Sequence, residues 1–172
     1  SSKSDSSNYA TSALNSTYGG WNDYMIAEEQ QNTGVPAGTN VVGWNTRNIN
    51  TTTSSSGTAI TRAGNQITLN QPGVYYIRAT APGFLVGGHK LTIKESSATT
   101  PLINGDFQYS SPGNDGFSVS KAEGTITILP SAPKTIILSH FTTFAYIEGL
   151  GSYNNIPSIQ EVFSTIFILK IK

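Results

Sequence analysis

Cysteine is absent from the 172 residues, which removes disulfides, thiolate nucleophiles and sulfur-ligated metals together and leaves stability to packing and hydrogen bonding. That absence suits a protein that must survive outside a cell without redox care. Charge is scarce as well: ten basic residues cancel ten acidic ones, and only 12% of the chain is charged. No cluster of Lys or Arg exceeds a pair, so the electrostatic footprint of a nucleic-acid or anionic-membrane binder is missing. No apolar run approaches the roughly 18 residues that span a bilayer. The opening "SSKSDSSNYATSALNSTYGG" has neither an apolar signal core nor a starting methionine, so the chain is expected to be a piece of a longer one.

What is present is β pattern. Residues 1–20 are Ser, Asn, Thr and Gly with hardly a large apolar side chain, too little to offset the entropy of ordering them, and are expected to form a flexible linker or stalk end. From Trp21 to Lys172, short runs rich in Ile, Val, Tyr, Phe and Thr alternate with Gly, Pro, Asn and Ser clusters, without a helical stripe longer than two turns. Strands are expected over 23–29, 40–47, 57–63, 66–70, 73–81, 84–95, 101–108, 116–121, 124–129, 134–143 and 160–171. So many short strands fit an all-β jelly-roll sandwich of two antiparallel sheets as one head domain over 21–172. "QPG" before Val74, "APG" before Phe84 and "AEG" between Val119 and Ile126 supply the turn chemistry.

Alternation gives the strand faces. Tyr75, Ile77, Ala79 and Ala81 oppose Val74, Tyr76, Arg78 and Thr80, and His89, Leu91 and Ile93 oppose Lys90, Thr92 and Lys94. The last strand, "EVFSTIFILKIK", differs: Phe163, Phe167, Leu169 and Ile171 share one face, and Val162, Ile166 and Ile168 the other. A strand apolar on both faces is expected to be central in its sheet and covered twice. With no helix to lie over it, the second cover is expected to be another subunit, with Phe163, Ile166, Phe167 and Ile168 as the interface. The competing cover is the loop "FAYIEGLGSYNNIPS" folding back over the strand.

The run "GVYYIRATAPGF" followed by "GGHKLTIK" resembles the central signature of the tumour necrosis factor and complement globular-head jelly rolls. It is more similar to the fibre-head version of that fold in phage and large-virus structural proteins, with "IEGLGSYNN" and "FSTIFILKIK" as the later elements. The resemblance covers about residues 21–172 and implies a TNF-like fold and a homotrimer; none of its positions is a catalytic motif.

The chemistry available is thin. His89 and His140, the only imidazoles, fall on apolar strand faces, where a histidine satisfied in the core or at an interface is the expected reading. There is no G-x-S-x-G elbow. Glu28 and Glu29 are neighbours in a strand and point to opposite faces, so they do not share a substrate. Asp106 and Asp115 flank "NGDFQYSSPGNDGF", where a solvated turn is favoured over a calcium loop. No metal or cofactor is expected. The aromatics Trp21, Tyr24, Trp44, Tyr109, Tyr146 and Tyr153 sit among Asn, Gly and Ser, the mixture suited to stacking sugar rings.

These readings lead to a non-enzymatic trimeric head of a viral or phage fibre, exposed on the virion, attaching to a host-surface glycan or protein receptor or decorating the particle. The ligand site is expected in two loops, with Tyr109, Asp115, Tyr153 and Asn154 stacking on and hydrogen-bonding a glycan. The alternatives are a bacterial or spore-surface head on a collagen-like stalk and a carbohydrate-active enzyme on a jelly-roll scaffold, which would need two carboxylates in a cleft.

Overall fold

The computed structural model describes residues 23–32, 35–113, 116–152 and 160–172. The expected linker over 1–20 lies outside them. None of the described residues is helical. Eleven strands are formed: β1 (Tyr24–Gln31), β2 (Gly43–Thr46), β3 (Thr51–Ser56), β4 (Ile60–Ala63), β5 (Gln66–Leu69), β6 (Gly73–Phe84), β7 (Gly87–Glu95), β8 (Pro101–Ser110), β9 (Phe117–Ile128), β10 (Lys134–Thr142) and β11 (Glu161–Lys170).

They make two antiparallel sheets. One runs β3-β1-β11-β6-β9; the other runs β4-β5-β10-β7-β8, with β2 sharing with β5 the edge of β10 that β7 leaves free. The inward residues of both sheets, among them Leu69, Ile77, Leu91, Ile93, Ile136, Leu138, Ile166 and Ile168, form one closed apolar core. Tyr75 reaches that core with its ring and still satisfies its hydroxyl, which donates to the Gln71 carbonyl at 2.8 Å.

Besides shifts of two or three residues at the ends of β1, β2, β4 and β8, three departures from the sequence expectation bear on the fold. β3, "TTTSSS", was not anticipated because it carries no large apolar side chain; its pairing with β1 makes it a strand. β9 continues through Ala122, Glu123 and Gly124, where a turn was expected, because an unbroken ladder to β6 holds all twelve residues. β6 likewise runs on through Pro82 and Gly83 to Phe84. β11 leaves β6 after Thr80, so Pro82 stands where a missing N–H interrupts no ladder to β11. The turn falls instead at Leu85, which adopts φ 55° and gives its N–H to the Gly116 carbonyl.

β11 is the middle strand of its sheet, as expected. Its phase corrects part of the interface expectation. Ile166 pairs with Ala27 and Ala79, and Ile168 with Met25 and Ile77, all buried, so Ile166 and Ile168 belong to the core and are not available to another subunit. Phe163 and Phe167 lie on the opposite, outward face and are half-buried.

Candidate functional site

One end of the sandwich interior is polar. Glu29 continues the inward series Met25, Ala27 on β1, and Arg47 continues Asn45 beyond β2; both are fully buried and form an ion pair, Arg47 Nε donating to Glu29 Oε2 at 2.8 Å. Glu29 Oε1 also accepts from the Asn48 N–H. Burial pulls the guanidinium below its ordinary value, and the charge of Glu29 opposes that pull. Glu28 faces outward and accepts from Gln30, so the two carboxylates do point apart.

Beside this pair lie His89 on β7 and His140 on β10, both with no exposed surface. His89 Nδ1 is 2.8 Å from His140 Nε2, and His89 Nε2 is 2.7 Å from Ser118 Oγ. His140 Nδ1 has no partner. The tautomers that leave a lone pair there, rather than an orphaned N–H, have His140 Nε2 donating to His89 and His89 Nε2 donating to Ser118. Desolvation pushes His89 down to about 4 and His140 down to about 2, with Arg47 acting in the same direction on both and Asp106 opposing it at His89. The pair is therefore neutral at pH 7. A Cβ at Gly83 would meet His89 Nε2 at 2.9 Å, so the backbone closes tightly over the imidazole. Although a serine touches a histidine here, no carboxylate is bonded to either ring, and none of the three grooves described below is lined by Ser118. The contact ties β7, β9 and β10 together at this end of the core.

The outer face of the five-stranded sheet centres on β11. Phe167 meets Tyr76 of β6 edge-on at 6.3 Å, and Thr165 shares a hydrogen bond with Thr80 at 2.9 Å. A groove of about 310 Å³ runs between Ile26, Arg78 and Phe167. A second, of about 260 Å³, lies between Pro82, Phe117, Val119, Val162 and Phe163. Tyr76 donates to Glu123, which pairs with Lys121, giving the apolar strip a polar border. The loop proposed as an alternative cover packs, over residues 144–152, at the sandwich end: Tyr146 lies against Phe84 at 5.6 Å, and Gly151 against the Phe163 ring. Its remainder lies outside the described residues.

The outer face of the six-stranded sheet has a different chemistry. Register places Trp44, Phe141, Lys90 and Phe107 in one row across β2, β10, β7 and β8. Trp44 is 52% exposed and is braced edge-on by Phe141 at 5.3 Å. Tyr109, opposite Gly88, is 62% exposed on this same face. A groove of about 270 Å³ is lined by Trp44, Thr92, Lys94, Thr99 and Pro101.

Of the expected ligand residues, only Tyr109 is described, and it stands on β8, not in a loop; Asp115, Tyr153 and Asn154 lie outside the described residues, as does Trp21. Asp106 also stands in β8, where it accepts from Lys121 N, Ser120 Oγ and Gln108 Nε2. Desolvation raises its pKa, but those donors outweigh it and hold the carboxylate below its usual range. It ties β8 to β9, which leaves it poorly placed to hold a calcium ion. Among the described residues no His and acidic groups gather as metal ligands would. Sequence reasoning missed the Glu29–Arg47 pair, although the alternation of β1 places Glu29 inward.

The sheet order, the central last strand and the closed two-sheet core define a TNF/C1q-like jelly roll. Among solved structures the chain is similar to murine APRIL, with a TM-score of 0.54 at 9% identity, covering 86% of this chain and 98% of that one. It is similar to the PRD1 vertex protein P5, with a TM-score of 0.51 at 18% identity over 88% and 98% of the two chains. The globular domain of zebrafish complement 1qA gives a TM-score of 0.53 at 18% identity, over the same shares. Identities this low establish the fold alone. No protein-family model matches the chain, and no curated protein is significantly similar to it.

Proposed function

We propose that the chain is the non-enzymatic head domain of a homotrimer on the surface of a viral or phage particle, serving attachment to a host surface or decoration of the particle. The observation that carries this reading is β11: the middle strand of a sheet, buried on one face, presents Phe163, Phe167 and Leu169 on the other, flanked by Tyr76 and Ile26. In a lone sandwich that strip meets water. Association around a threefold axis removes it, as obligate oligomers do when they bury more than about 2,000 Å². The PRD1 vertex protein, which shares the fold, supports a place on a particle surface.

Sedimentation velocity at micromolar concentration tests the assembly. The expected species has about three times the 18.3 kDa of one chain, and Phe167→Glu, which puts a charge into the strip, shifts it to monomer. A wild-type monomer overturns the reading. Binding of the trimer to cells or to a glycan panel then separates attachment from decoration.

A further inference from the structure

The outer face of the six-stranded sheet is on the far side of the sandwich from the strip assigned to assembly. We propose that the groove between Trp44 and Pro101 binds one acidic sugar residue of a glycan, with Trp44 stacking on the C–H face of the ring and Lys94 pairing with its acidic group. This deepens the attachment role proposed above and rests on it.

Trp44 carries the argument first. Its indole is 52% exposed, and the strand that carries it is held firmly. Its neighbour Asn45 is buried and bonded to Val41 N, to the carbonyls of Val41, Gly43 and His140, and to Thr142 Oγ1. That clamp fixes β2 on β10, and Phe141 props the ring edge-on. A rigid aromatic presented in advance gives up little entropy on binding.

Charge is the second observation. Lys94 lines the groove, Lys90 lies two positions along the same face, and neither makes an ion pair among the described residues. Among the described residues no acidic side chain lines the groove, and Glu95, next to Lys94 in the chain, is engaged by Lys134 at 2.9 Å. The unmatched charge selects an anion. Shape and backbone narrow the class further. A volume of about 270 Å³ falls just under the range for drug-sized ligands and suits about one ring. β7 is paired on both edges, by β10 and β8, so the floor offers no free main-chain groups to an added peptide strand. What it offers is an indole, a prolyl ring, the exposed Thr99 hydroxyl and an ammonium, a set that fits a sugar ring bearing a carboxylate or sulfate.

The test is saturation-transfer NMR with the intact protein and three probes: lactose, 3′-sialyllactose and 3′-sulfolactose. The acidic sugars are expected to bind at least about tenfold more tightly than lactose, a difference that added salt reduces. Lys94→Gln brings them down to the level of lactose, Trp44→Ala abolishes all three, and Lys172→Gln, an exposed lysine just beyond β11 that lines none of the grooves, changes nothing. Preference for the sialylated probe identifies carboxylate recognition, and equal binding of both acids identifies charge alone. No saturable binding, or full binding by Lys94→Gln, overturns the assignment, and melting curves establish that each variant folds. Sedimentation of the same samples keeps the two proposals apart: a trimer that binds no acidic sugar refutes only the groove, and a monomer that binds one refutes only the trimer.

Discussion

The two ends of the sandwich interior are held together by different physics. One end is apolar: Leu69, Tyr75, Ile77, Ile126, Ile128 and Ile168 interlock with nothing to neutralise. The other holds an ion pair and two imidazoles. Packing of the first kind tolerates many shapes of similar volume. A buried polar cluster requires specific partners, and losing one leaves another stranded. The apolar end therefore supplies stability, and the polar end fixes how β1, β7, β9 and β10 meet.

The sharpest way to break this contrast is Glu29→Ala, which abandons the Arg47 guanidinium in the core and is expected to cost about 3–5 kcal/mol in denaturant unfolding. The double change Glu29→Leu with Arg47→Met removes both charges and is expected to recover most of that loss; if it does not, the pair is more than a mutual neutralisation. At the apolar end Ile77→Ala or Ile128→Ala leaves a cavity and is expected to cost about 2–5 kcal/mol by the same measurement.

Acidity separates the ends without mutation. Folding pushes His89 to about 4 and His140 to about 2 from an ordinary 6.5. Below about pH 6.5 the unfolded chain takes up protons that the folded one refuses, so this stability is complete above that pH and is lost as pH falls. Between pH 7 and 5 the expected loss is about 2–4 kcal/mol from the pair. The groups facing them are Arg47, which repels added charge, and Ser118, with Asp106 on β8 partly compensating at His89. A flat stability curve over this range would show that the imidazoles are already charged or exposed. The smallest expected effect is Lys90→Ala, on the outer face, within about 0.5 kcal/mol; a larger one would mean that the strand phase assigned to β7 is wrong.

Strands with strong alternation were legible in the sequence. β11 and most of β6 bury alternate residues, and in β7 and β10 the apolar alternation gave the inward faces, although Thr92 and Ser139 between them are buried as well. β3 was not legible because its side chains carry no hydrophobic signal, and the breaks expected at "APG" and "AEG" were local preferences overridden by the β6–β9 ladder. For the site, Trp44 was picked out as an aromatic, but Lys94 read as an ordinary surface lysine. Their convergence depends on β2 and β7 flanking β10 from opposite edges, which is a property of the topology and not of either segment.

One modest element carries a further consequence. β3 ends its sheet with only Thr and Ser side chains. A stray chain arriving at that edge finds free amides and carbonyls but no apolar surface to bury, so cross-β growth gains little from side-chain packing there. Such an edge keeps copies of the chain at high local concentration from sticking to one another sheet by sheet.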